Sequence, residues 1–488
     1  MRLGQRNLHP EQKSADSTCV SNPSGVTGKL CTWIYDTSIG DIPPEILWRA
    51  KYLILDGVAC GLVDAHLPWS EIAAKGIFKM EPEGQCTVMG WGGKKLSPIA
   101  AAALNSTFIQ GFELDDYRSN APLHSCTLLL PALFAAIEAD NSRNFSGEDF
   151  LKAFVVGCEI GPRVGLALHG AELLSRGWHS GTVQGPSASA AAVSSLLGLC
   201  PAHIESALGM ACTQAGGLMP AQYGSMAKPA LMAQEGYTGI QEVYETPYGG
   251  FLSCFSEGSI HTPKSLPDEL IKGLGKRWEL DGIRVKLHAS MAGLHGTIDC
   301  VQNLQTQCPE RFNIENLSNI ESITTEHSKP AFEHGGWIAP ADKSLSSTAA
   351  QMNIQYAAAA QFVDGEVLMA QFGADKLNRP ILREVMAKIT PTHNPELDQD
   401  ATVGWVTAMT VRFKDGTEVK NRTESPRGIR PPASNEDIVK KWRMLVRNVV
   451  EDERRDEIER CVLDLELLSD VRVLITLLEG TVRCPIAL

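Results

Sequence analysis

Residues 111–131, GFELDDYRSNAPLHSCTLLLP, set Glu113, Asp115 and Asp116 within a dozen residues of His124, between two strongly apolar segments. Three carboxylates and one imidazole can exchange protons. If buried together they must pair with one another, with a cation or with a ligand. Displaced pKa values follow from such burial, and these concentrate at functional sites. The alternative is a solvated loop between helices, whose Asp pair caps the next helix.

Four other positions carry chemistry in distinctive contexts. GWHSGTVQGPSASAAAVSS puts His179 just before a helix whose Gly-rich start can offer backbone N–H groups and a positive dipole end to an anion. The alternative is a structural loop histidine. AQYGSMAKPA puts Lys228 between a glycine turn and a proline, which restrains the backbone carrying that ammonium; the alternative is a solvated lysine. IRVKLHAS puts Lys286 at the end of a predicted strand, where alternation points Arg284 and Lys286 the same way, or leaves an edge-strand charge. FEHGGW leaves His334 beside two glycines in a flexible loop, as a binding group or a turn residue.

The elements that must position these groups are mostly helical in the first half. DIPPEILWRAKYLILDGVACGLV has a capping Asp41, Pro43 and Pro44 suited to a first turn, and a helical apolar stripe. SPIAAAALNSTFIQ and CTLLLPALFAAIEA predict buried helices flanking the acidic loop, and GQCTVMGWGG a short strand and turn. SGEDFLKAFVVGCEIGPRVGLAL begins with Ser146 and Asp149 in capping-box spacing, and PAHIESALGMACTQAGGLM predicts a further buried helix. Near residue 275 the character changes. IRVKLHAS and IESITTEHS predict strands, TVRFKDGTEVKN a hairpin turning at Asp415-Gly416, and Ile438 through Leu465 a return to helix after a Ser434/Asp437 capping box.

The chain has 488 residues, 43% of them hydrophobic, with 57 acidic against 44 basic side chains for a net charge of −13. That balance argues for a large globular chain of two domains, without nucleic acid or a membrane surface as partner. The thirteen cysteines form no CxxC pair and predict reduced core thiols. MRLGQRNLHPEQKSADS holds no apolar run of the kind a secretory leader needs, and no stretch reaches the ~18 apolar residues of a membrane span, so the expected location is cytoplasmic. No GxGxxG, GxxxxGK[ST], HExxH or GxSxG signature is present, and nothing in the sequence calls for a metal.

AKYLILDGVAC, FELDDYRSNAPLHS, GWHSGTVQGPSA, ACTQAGGLMPAQYG, PYGGFL, IRVKL and the C-terminal block, in that order, resemble the MmgE/PrpD family, most closely its fungal cis-aconitate decarboxylases. The resemblance runs from about residue 30 to the C-terminus. It implies a mainly α fold, with a large all-helical domain (31–270 with 434–488) and a smaller α/β lid domain (271–433); the polar, Ser-, Asn- and Gly-rich composition of residues 1–30 predicts a disordered tail. The resemblance further implies a homodimer that acts without a cofactor on a small-molecule tricarboxylate, taking CO2 from cis-aconitate, or from an alkylated aconitate or citrate analogue of a fungal secondary pathway. Matched motif by motif, His124, His179, Lys228 and Lys286 are the expected catalytic residues. Lys228 and Lys286 would clamp carboxylates, His124 would donate a proton and His179 would orient a second carboxylate. Asp116, Tyr117 and His334 are the expected substrate-binding residues.

Two features depart from the family pattern. Position 118, a histidine in the fungal decarboxylases, is Arg118, which adds a carboxylate-binding cation or removes a proton relay. The Gly/Ala-rich helix expected after Lys228 is replaced by the shorter LMAQEGYTGIQEVYETPYGGF. Two alternatives therefore stand beside decarboxylation: dehydration of 2-methylcitrate or an alkylcitrate, and a non-catalytic polycarboxylate-binding pseudoenzyme.

Overall fold

The computed structural model describes residues 19–170, 172–217, 239–247, 249–341, 343–400 and 406–487. Its first part is built from α1 (Val26–Asp36), α2 (Pro44–Asp64), α3 (Pro68–Met80), α4 (Pro98–Ile109), α5 (Ser125–Ala139), α6 (Gly147–Ala167), the single turn α7 (Glu172–Ser175), α8 (Ser180–Leu197) and α9 (Pro201–Thr213). Pro44, Pro68, Pro98 and Pro201 each stand in a first turn, where a missing N–H is no loss. Ser146 opens α6 by accepting the Asp149 N–H.

α5, α6 and α8 are buried on nearly every side and form the centre of this helical body. α6 lies along α8, and α5 packs against both α4 and α8. The close approach depends on Gly157 and Gly161, one turn apart on α6: a Cβ at Gly157 would stand 2.4 Å from Leu129, and one at Gly161 2.9 Å from Ala188. Each Leu or Phe fully buried here contributes about 1.5–3 kcal/mol. Pro131 interrupts the α5 hydrogen-bond ladder, and Ser189 of α8 donates to the neighbouring Leu128 carbonyl.

The second part carries a four-stranded sheet of order β4-β3-β5-β6, from β3 (Ile320–His327), β4 (Ile389–His393), β5 (Thr407–Phe413) and β6 (Glu418–Thr423); β1 (Cys86–Thr87) and β2 (Lys95–Leu96) form a separate ribbon in the helical body. β3 and β4 run parallel and their connection is helical, while β5 and β6 form the hairpin turning at Gly416, with φ +83°. The Asn435–Leu445 and Asp452–Leu463 helices then return to pack on α2. Among the described residues no helix is long and apolar enough to cross a membrane.

Three expectations need correction. Residues 283–290 make no strand, only an isolated bridge between Arg284 and Tyr117, because their neighbour is a loop and not a sheet edge. The stretch from Ile438 to Leu465 is two helices, parted at 446–451, where Asn448 takes φ +63°. Helix α1 already begins at Val26, and Ser21 donates to Glu205, so the predicted tail over 1–30 reaches too far; residues 1–18 lie outside the described residues.

Candidate active site

The loop between α4 and α5 delivers the acidic residues, and the buried helix start after it fixes their places. The first N–H groups of a helix have no partner within it. Asp116 supplies one from outside: its carboxylate accepts the Ser125 and Cys126 N–H groups at 2.8 and 2.9 Å. His124 thereby becomes the residue immediately preceding α5. Asp116, expected among the substrate-binding residues, is instead the cap of the following helix.

The residue that holds His124 is Asp115. Its Oδ2 lies 2.8 Å from His124 Nδ1 and accepts from Thr127 Oγ1 at 3.3 Å, while its Oδ1 lies 3.3 Å from Lys286 Nζ. Glu113 completes the group at 2.7 Å from the same ammonium. Burial alone would push Asp115 up, but the His124 and Lys286 charges outweigh it and hold this carboxyl well below the usual range. Burial opposes charge on His124 too, and Asp115 outweighs it, so the imidazole titrates above its ordinary value. Asp116, buried beside the charged Asp115, is pushed the other way. Two adjacent carboxyls are thus shifted in opposite directions, Asp115 by its cations and Asp116 by burial and its charged neighbour. Beneath them Lys441 donates to the Leu114 carbonyl and pairs with buried Asp56 of α2 at 2.6 Å, seating the loop on the Asn435–Leu445 helix.

His179 stands at the start of α8, where its Nδ1 accepts the Thr182 N–H at 3.3 Å. Burial, and then the nearby His124, lower it to about 4, so it is neutral at pH 7. Both histidines line one narrow cleft, with Ser106 of α4 and Gln110 just after it, Thr127 and Leu128 of α5, and Gly181 and Thr182 of α8; it holds about 280 Å³ of empty space counting its open mouth. A neutral imidazole, hydroxyls, an amide and a helix start facing a chargeable imidazole can orient an anion and give it a proton. Ser106 and Gln110 escaped the sequence reading. Their signal was i, i+4 polarity at the end of an otherwise apolar helix.

Other expected residues fall elsewhere. Lys286 is not on the edge of a strand but 2% exposed in an extended segment, turned toward Glu113 and Asp115. Tyr117 exchanges two backbone hydrogen bonds of 2.8 Å with Arg284, and its ring packs with Ala292 and Ile429. Arg118 is neither a substrate cation nor part of a relay with His124. Its guanidinium is buried against Glu279 at 2.5 Å and the Glu279 carbonyl, while its N–H donates to Leu123 O and closes the turn before His124. His334 stands in a short helix, Lys329–Gly335, and not in a loop; it is exposed, with its Nδ1 2.8 Å from the Pro330 carbonyl. Lys228 lies outside the described residues.

Residues 28–263 match the MmgE/PrpD N-terminal domain, and residues 288–467 the MmgE/PrpD C-terminal domain. A cis-aconitate decarboxylase-like protein, oryM, of Aspergillus oryzae is 48% identical over 478 residues, spanning 94% of this chain and 98% of that protein. A cis-aconitate decarboxylase of Aspergillus terreus is 43% identical over 492 residues, 97% of this chain and 99% of its own. The cis-aconitate decarboxylase of Homo sapiens is 27% identical over 473 residues, 93% and 95% of the two chains.

Proposed function

This chain belongs to the MmgE/PrpD family, and from that premise we propose that it is a carboxy-lyase that removes CO2 from cis-aconitate, or from an alkylated analogue of it, without a cofactor. The observation that carries the reading is the pairing, on a single cleft, of one histidine whose pKa Asp115 raises with one held neutral by burial.

The chemistry asks for this pair. In cis-aconitate one carboxylate sits on a methylene next to the double bond. When that carbon–carbon bond breaks, its electron pair becomes a new terminal double bond, and the old double bond shifts its electrons onto the former vinylic carbon. That carbon then takes one proton, giving itaconate and CO2. His124 is the donor, from Nε2, since Nδ1 is engaged by Asp115. It recovers its proton from water. Neutral His179 and the start of α8 orient a carboxylate that keeps its charge. Lys228 is the proposed clamp for another, and the part of the chain carrying Lys286 acts as the lid in a homodimeric enzyme.

Incubation of the purified protein with cis-aconitate, following CO2 and itaconate together by mass spectrometry, tests the reading. Itaconate with an equal amount of CO2, lost in His124→Ala, is the expected result. An unsaturated tricarboxylate formed from 2-methylcitrate without CO2 would replace it with a dehydratase, and binding of cis-aconitate without any product with a pseudoenzyme.

A further inference from the structure

A tricarboxylate needs cations, yet Lys286 is already held by two acids, Glu113 at 2.7 Å and Asp115 at 3.3 Å. The two acids differ in every other respect. Asp115 has a side chain 1% exposed and is also bound to His124 and Thr127. Glu113 is 15% exposed, and its hydrogen bond to Lys286 is the only one its side chain makes among the described residues. Glu113 also holds φ at +55°, a left-handed backbone that disfavours side chains. It lies on the loop whose two ends, Gln110 and His124, both line the cleft.

We infer that Glu113 is a placeholder for the substrate: its carboxylate occupies, on Lys286, the position that a substrate carboxylate takes, and the side chain leaves as the ligand enters. The inference rests on reading the cleft as a tricarboxylate site. Charge favours exchange over simple addition. Lys286 already carries two carboxylates, Glu113 and Asp115, so a tricarboxylate added to the filled site brings three more negative charges to one ammonium. Replacing Glu113 by a ligand carboxylate leaves the surroundings of Lys286 unchanged in charge and returns the partly exposed Glu113 to water. Asp115 stays on Lys286 throughout, so no buried ammonium is stranded. Strained residues of this kind cluster at switches and ligand clamps.

Calorimetric titration of tricarballylate, a saturated tricarboxylate, into wild-type, Glu113→Gly and Glu113→Gln protein at pH 7 tests it. Glycine suits φ +55°, so the first variant relieves the backbone while removing the acid. The expected result is a Kd about ten-fold lower in both variants, because the competing carboxylate no longer lowers the fraction of open sites. An equal or higher Kd in both, or no binding to any of the three proteins, overturns the inference. Turnover of cis-aconitate, measured alongside, separates the two claims. Gained affinity without CO2 release upholds the placeholder and sinks the decarboxylase; CO2 release without gained affinity does the reverse.

Discussion

Asp115 Oδ2 lies 2.8 Å from His124 Nδ1, and this contact decides which protonation state the imidazole favours. Because its other carboxylate oxygen rests on Lys286 and Thr127 donates to the one facing the imidazole, Asp115 cannot turn away from His124 without breaking both contacts. The ring is thereby fixed in orientation, with Nε2 left to serve the cleft.

Asp115→Asn should separate charge from shape. His124 titrates above its ordinary 6.5 only because Asp115 outweighs burial. As a proton donor it works while protonated, so the wild-type rate should fall as pH rises through that elevated value. In the variant the fall should come at lower pH, and the rate at pH 7 should drop by about 10²- to 10⁴-fold, the usual worth of a positioned acid. The pH profile of kcat/KM reads both, and an unchanged limb would remove His124 as the donor. The pair also shapes stability. The His124 contribution is complete below 6.5 and lost as pH rises through the raised value, whereas that of Asp115 is complete above 3.8 and lost as pH falls.

Asp116→Asn, one residue along, should behave oppositely. It removes a carboxylate that accepts two N–H groups at the start of α5, and an amide cannot accept both in the same way. The expected loss is about 1–3 kcal/mol in urea denaturation, with the pH limb of kcat/KM unmoved. A displaced limb with unchanged stability would return Asp116 to the role first expected of it.

That contrast marks how far the sequence could be read. The cluster itself was visible, since polar residues between two apolar helices must be explained, and family motifs singled out His124 and His179. Which of two adjacent Asp residues faces the histidine was not visible, because successive side chains of an extended loop point to opposite sides. Proline and serine positions marked the helix starts well. The β-branched run of IRVKL misled because alternation reports two differently buried faces, not a sheet: Ile283 and Val285 are buried against a loop. Asn448 was the overlooked signal of the break after Leu445, since Asn tolerates the left-handed backbone that a charged amphipathic pattern conceals.

Gly282→Ala should be costly because of Arg118. A Cβ at 282 would stand 1.9 Å from Arg118 Nη1. The end of an arginine ordinarily moves aside, but this one is 7% exposed and held by both the carboxylate and the carbonyl of Glu279. Moving it breaks its contacts with Glu279, itself 2% exposed, and leaves that carboxylate with Arg277 alone, at 2.6 Å. A loss of about 1.5–3 kcal/mol is expected, that of a lost hydrogen bond between charged groups. Arg118→Ala should cost a similar amount, and the double variant little more than either. Additive losses in a double-mutant cycle would show that the two residues do not share this contact.

Among the described residues three histidines are buried in the neutral form: His179 and His327 lowered to about 4 and His295 to about 3, burial being the largest cause in each. A base lowered in the folded state binds its proton earlier in the unfolded chain, so each withdraws stability as pH falls from 6.5 toward its folded value. Asp56, raised by burial to about 6, and Glu159, raised to about 7, slope the other way over part of that range, so the net curve alone does not isolate the histidines. The difference between variant and wild type does. His327 sits on β3, away from the cleft, with Nε2 2.9 Å from Thr325 Oγ1, a partner that glutamine can also reach. Relative to wild type, His327→Gln should gain up to about 1.4 kcal/mol for each pH unit below 6.5. Urea denaturation at pH 7, 6 and 5 measures it. A difference that stays constant across the three would mean that His327 takes up its proton in the folded protein as readily as in the unfolded chain.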